Sequence, residues 1–136
     1  MNKRRIALVV TTAALGVAGL ATAGTAQAAP AGPGVVVDYA AHTVKVRPAS
    51  FQPYKDVNYT SVKWTALTST TGDATAIRNI NTCVPACAAG HYQHTRVKLH
   101  FTNVKVSDGR RVFTRAQVTD LATKKTTTTA LPVFTK

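Results

Sequence analysis

The sequence predicts an all-β fold, a small antiparallel sandwich or partly open barrel of six or seven strands with one disulfide in a short loop. Three observations lead there. No segment after residue 28 repeats apolar residues at i, i+3, i+4 and i+7 over three turns, so no amphipathic helix is expected. Eighteen threonines fall in residues 29–136, and a β-branched polar side chain suits the solvent face of a sheet. Asp108-Gly109 stands between two strand-like runs, a strong short-range signal of a β-hairpin.

The chain opens on a different kind of segment. Asn2-Lys3-Arg4-Arg5 is a short positive stretch, no charge follows from Ile6 to Gly24, and Ala26-Gln27-Ala28 has the small-x-small pattern of a signal-peptidase site. Residues 1–28 therefore read as a cleaved signal peptide. The product is expected to be secreted and extracellular, with no membrane attachment after cleavage. Loss of Lys3, Arg4 and Arg5 leaves fourteen basic residues against five acidic ones, a net charge of +9 on 108 residues. That length makes one domain with a thin core.

Residues 29–34, Ala-Pro-Ala-Gly-Pro-Gly, suit neither helix nor strand and are expected as a flexible mature N-terminus. Residues 35–136 form the single β domain. Val35-Val36-Val37 is a short β-branched run, and Thr43 to Arg47 alternates Val with basic residues until Pro48 ends it. Phe51 to Asp56 reads as a loop stiffened by Pro53. Val57 to Leu67 returns to strand, with a shift of alternation between Tyr59 and Val62 that signals a bulge or a second strand. Trp64, the single tryptophan, is expected in the core.

Thr70 to Asp73 is read as a turn, Ala74 to Thr82 as a strand, and Cys83 to Gly90 as a tight loop. Arg96 to Thr102 is the clearest strand: Val97, Leu99 and Phe101 point one way, and Arg96, Lys98 and His100 the other. The Asp-Gly turn follows, with a return strand from Val112 to about Leu121. The tail from Lys124 offers a last edge strand.

Cys83 and Cys87 are the only cysteines. In an exported protein two nearby thiols oxidise together, and closing so small a loop stabilises by about 2 kcal/mol on the chain-entropy estimate. The spacing also admits a metal site, since Cys83, Cys87, His91 and His94 form C-x3-C-x3-H-x2-H, with four zinc or copper ligand types. Oxidation on export disfavours that alternative, and no cofactor is expected.

Part of the chain resembles a known group. Arg47-Pro48, Trp64 at a strand end, and Asn81-Thr82-Cys83-Val84-Pro85-Ala86-Cys87-Ala88-Ala89-Gly90 come in order, followed by Val97-Lys98-Leu99 and Val112-Phe113-Thr114-Arg115. This is similar to small secreted proteins of high-GC Gram-positive (actinobacterial) type. In these a strand tryptophan precedes an Asn/Asp-x-Cys-x-Pro-x-Cys-Ala-x-Gly loop and a hairpin. The likeness covers about residues 46–121 and implies export, not an activity. The group's second Trp and its Gly-x-Gly are replaced here by Leu67 and Thr75-Ala76.

No catalytic constellation emerges. A glycosidase needs a pair of carboxylates, and the chain has five Asp and no Glu, none in a recognisable pair. Ser50, Ser61, Ser69 and Ser107 stand in no nucleophile elbow. A non-enzymatic binding or surface-interaction module fits better, with an anionic cell-wall polymer or another secreted protein as partner and no specific nucleic acid. Arg96, Lys98, Arg110, Arg111 and Arg115 are the expected polyanion contacts. The alternative is an inhibitor of a secreted hydrolase that presents the rigid Cys83–Cys87 loop.

Overall fold

The computed structural model describes residues 32–133. The expected signal peptide, its cleavage site and residues 29–31 lie outside the described residues. Eight strands follow one another: β1 (Val35–Asp38), β2 (Thr43–Lys45), β3 (Phe51–Tyr54), β4 (Val57–Leu67), β5 (Gly72–Asn81), β6 (Tyr92–Ser107), β7 (Arg110–Asp120) and β8 (Thr126–Ala130). The only helical turn among the described residues is a 3-10 turn at Cys87–Ala89. All eight strands join one sheet in the order β2-β1-β3-β4-β5-β6-β7-β8, antiparallel except where β1 meets β3.

The sheet is rolled. In a flat sheet with strands about 4.8 Å apart, β3 and β6 would stand about 14 Å from each other. Yet the rings of Phe51 and Phe101, on those two strands, have centroids 5.9 Å apart. The ends of the sheet also meet. Gly34, just before β1, donates to the Arg111 carbonyl at 2.9 Å and accepts from the Phe113 amide at 2.9 Å. At the other end the Tyr54 hydroxyl donates to the Ala130 carbonyl at 2.6 Å, joining β3 to β8. The result is a partly open barrel, closed by an isolated bridge instead of a full ladder.

Phe101 is the centre of the enclosed core. Its ring lies 4.9 Å from that of Trp64 and 5.5 Å from that of Phe113, and Phe51 in turn stacks on Tyr59 at 4.7 Å. Val97, Leu99 and Phe101 are fully buried as the alternation predicts, and Ala74, Ala76, Ala116 and Val118 fill the space beside them. Trp64 is half-buried, and its indole N–H donates to the Pro48 carbonyl at 3.0 Å.

The structure corrects four expectations. The strand count is eight, not six or seven, because Phe51–Tyr54 is a strand with Pro53 buried and not a loop. Gly72 and Asp73 open β5 and do not belong to the turn, which is Thr68–Thr71 held by the Thr68 hydroxyl. A Cβ on Gly72 would sit 2.9 Å from the Trp64 indole, so the missing side chain makes room for the core tryptophan. Residues 32–34 are docked, not loose: Pro33 is fully buried and Gly34 completes the barrel seam.

The alternation shift in β4 is a bulge inside one strand. Ser61 takes φ +51°, and the β4–β5 register slips between Thr60 and Lys63. Tyr59 and Val62 therefore both face the core, three residues apart, and Lys63 returns to the outer face.

Candidate binding surface

The outer face of β4, β5 and β6 carries the polar side chains that alternate with the core set, and the register decides which of them meet. Lys63 pairs with Thr75, and Thr75 pairs with Lys98. Ile77 sits between Thr60 on one side and Arg96 on the other. Lys63 and Lys98 are thus two strands apart in one row, about 10 Å at the backbone, with Arg96 one same-face step along β6. A shallow depression of about 390 Å³ lies among Ser61, Lys63, Thr75, Ile77, Arg96 and Leu121. Among the described residues no carboxylate lies within ion-pair distance of Lys63, Arg96 or Lys98.

Lys63 was not among the residues read from the sequence. Its signal was the alternation shift itself, because the bulge at Ser61 returns Lys63 to solvent beside the β6 cations. Arg96 and Lys98 share a face as predicted. Arg115 is exposed and pairs with Thr102, four residues along β6 from Lys98. Arg110 pairs with Ser107 at the hairpin end, about 30 Å of extended strand from Lys98. Arg111 donates to the Ser69 carbonyl in the β4–β5 turn. The five expected contacts therefore do not form one patch.

Next to the cations lies a polar recess. Asn58, Asn79 and His94 are directly opposite one another across β4, β5 and β6. Asn79 is only 7 % exposed, and its amide is fully committed. The Nδ2 group donates to Asn58 Oδ1 at 2.6 Å and to Thr60 Oγ1 at 3.1 Å. His94 Nδ1 lies 2.5 Å from Asn79 Oδ1, and since that oxygen only accepts, Nδ1 carries the proton. Tyr92 completes the lining of a depression of about 460 Å³ that shares Ile77 with the cationic one.

The cysteine loop stands at one end of this face. Cys83 and Cys87 are bonded to each other. Asn81 ties the loop from below: its Oδ1 accepts from the Cys83 amide at 3.0 Å and its Nδ2 donates to the Cys87 carbonyl at 2.8 Å. Gly90 leaves room beside it, since a Cβ there would clash with Asn81 Oδ1 and crowd the Cys83 backbone amide. This gives the Asn and the Gly of the loop motif their physical roles. The alternative four-ligand metal site is not assembled. The sulfurs are spent on the disulfide, only the Asp56 carboxylate joins them in a ligand-sized cluster among the described residues, and His94 is engaged by Asn79.

His100 and Asp73, opposite each other on β6 and β5, form a half-exposed pair with Nδ1 and Oδ1 2.9 Å apart. The contact orients the His100 ring on the outer face. No protein-family model, curated protein or solved structure matches the chain. No enzyme family is indicated.

Proposed function

We propose that the protein is exported, loses residues 1–28, and works outside the cell as a non-enzymatic binding module for an anionic polymer, engaged by the outer face of β4–β6. The observation that supports this reading is the convergence of Lys63, Arg96 and Lys98, drawn from two strands and left without carboxylate partners. Unpaired cations on a rigid surface attract polyanions through the long-range field, and a net +9 strengthens that field. An anionic cell-wall polymer is the partner that fits an exported protein of this charge.

Binding of the purified protein to immobilised heparin tests the reading. The triple variant Lys63→Ala/Arg96→Ala/Lys98→Ala is expected to lose most of the affinity, and Arg110→Ala/Arg111→Ala to keep most of it. Equal losses from the two variants would mean that net charge alone, and not this face, is responsible.

A second reading rests on the disulfide loop. Val84 is 66 % exposed at the tip of a segment that Asn81 braces from both sides. A braced, exposed apolar residue is what a hydrolase inhibitor presents, because less entropy is lost on binding. Inhibition of a secreted protease that disappears with Val84→Asp is the expected outcome of that reading.

A further inference from the structure

The polar recess beside the cations is built more carefully than polyanion attraction requires. Asn79 is nearly buried on the outer face of a sheet, where a threonine would ordinarily do, and it makes three hydrogen bonds. Their effect is to fix what the neighbouring groups have left to offer. Asn58 gives its oxygen to Asn79, so its NH2 remains a donor. Thr60 accepts from Asn79, so its hydroxyl proton is free to donate. With Nδ1 of His94 donating to Asn79, Nε2 is the ring nitrogen left for a ligand. Tyr92, 48 % exposed, adds an aromatic face and a hydroxyl.

The recess therefore offers donors and an acceptor within one small, pre-ordered area next to an aromatic ring. That mixture matches hydroxyl groups, each of which both donates and accepts, carried on a ring whose C–H face lies against an aromatic. It does not match phosphate, which only accepts. Ile77 lines both depressions, and Arg96 lies two residues along β6 from His94, about 7 Å. A ligand that fills the recess places its next substituent against the cations.

We infer that the outer face of β4–β6 recognises an acidic polysaccharide: a sugar ring seats in the Asn58, Thr60, His94 and Tyr92 recess while an adjoining carboxylate or sulfate meets Arg96, Lys63 and Lys98. The inference rests on the polyanion reading above and adds the chemistry of the chain that bears the charge. Nucleic acid fits less well. Single strands are held by successive bases on several aromatic side chains, and of the two rings that line the recess the His94 imidazole is tied to Asn79, which leaves Tyr92 alone outside that network.

Three probes separate these possibilities: heparin as an acidic glycan, inorganic polyphosphate as an anion without sugar, and single-stranded DNA. Each is titrated against the wild-type protein, Asn58→Ala, Tyr92→Ala and Lys63→Ala at one salt concentration. Asn58→Ala and Tyr92→Ala are each expected to weaken heparin binding about five- to tenfold, the worth of one hydrogen bond or ring contact, and to leave polyphosphate unchanged. Lys63→Ala is expected to weaken both. Tyr92 is exposed and outside the Asn79 network, so Tyr92→Ala keeps the test sound should Asn58→Ala disturb the fold. If the recess variants affect heparin and polyphosphate alike, or neither, while Lys63→Ala weakens both, the sugar site is wrong and the basic face stands. If Tyr92→Ala costs DNA as much as heparin, the ring is a base platform and the inference fails. If the wild type binds none of the three, the polyanion reading itself falls.

Discussion

Phe101→Ala is the perturbation that bears hardest on the rolled sheet. The ring is fully buried and touches three others, on β3, β4 and β7, at 5.9, 4.9 and 5.5 Å. Truncating a buried Phe to Ala costs about 3–5 kcal/mol. Aromatic pairs add about 0.5–1.5 kcal/mol each beyond the buried area, so three pairs put this site near the top of that range. A domain of this size holds about 5–15 kcal/mol in total, so the variant should lose about a third of its stability or more and unfold at a much lower urea concentration. Urea denaturation followed by tryptophan emission is the assay, because Trp64 is the only tryptophan and stacks on the deleted ring. A loss below about 1 kcal/mol with an unchanged denaturant slope would refute the barrel core, since a flat sheet leaves one side of Phe101 uncovered.

Three further outcomes follow from the loop and the turns. Gly90→Ala drives a methyl into Asn81 Oδ1 and is expected to destabilise by about 1–3 kcal/mol, read as a lower urea midpoint; an unchanged midpoint would remove Asn81 from its bracing role. Thiol titration of the unfolded, unreduced protein should find no free thiol, and Cys83→Ser/Cys87→Ser should lose about 2 kcal/mol; two titratable thiols in the native protein would reopen the metal alternative. The amides of Ala41 and Ala40 hold the Asp38 carboxyl below its ordinary value of 3.8, and that of Thr123, with Ala122, does the same for Asp120. A depressed carboxyl contributes stability above the unfolded value and loses it as pH falls through the lower folded value. Thermal stability should therefore be level above pH 5 and decline below about pH 4, and Asp38→Asn/Asp120→Asn should flatten that decline.

Local patterns made much of the fold legible. Val97, Leu99 and Phe101 alternate with Arg96, Lys98 and His100 because one face of β6 meets the core, and the structure keeps that division without exception. The Asp108-Gly109 turn set the β6–β7 pairing that runs from Ser107–Arg110 back to Val97–Asp120. Pro53 hid β3, since proline reads as a breaker in a strand. It is tolerated because the β3–β4 register is irregular between Phe51 and Tyr54 and pairs no residue with Pro53.

The closure and the site were out of reach for a different reason. That Gly34 meets Val112 depends on how far the sheet curls, which no short window encodes. Lys63, Asn79 and His94 are separated by up to 31 residues in sequence and come onto one face only through the β4–β5 and β5–β6 registers. His94 was noticed as a metal ligand type beside the cysteines. Its partner proved to be an asparagine across the sheet, whose near-complete burial on an outer face has no signature in composition or spacing.

The salt dependence of heparin binding tests the central claim most directly. With Lys63, Arg96 and Lys98 as the contacts, three released counterions give a slope of log Kd against log salt of about 2–3, so raising salt from about 50 to 200 mM should weaken binding about 15- to 60-fold. Lys63→Ala should lower that slope by about 1. An unchanged slope in Lys63→Ala, or binding indifferent to salt, would contradict the assignment of this face.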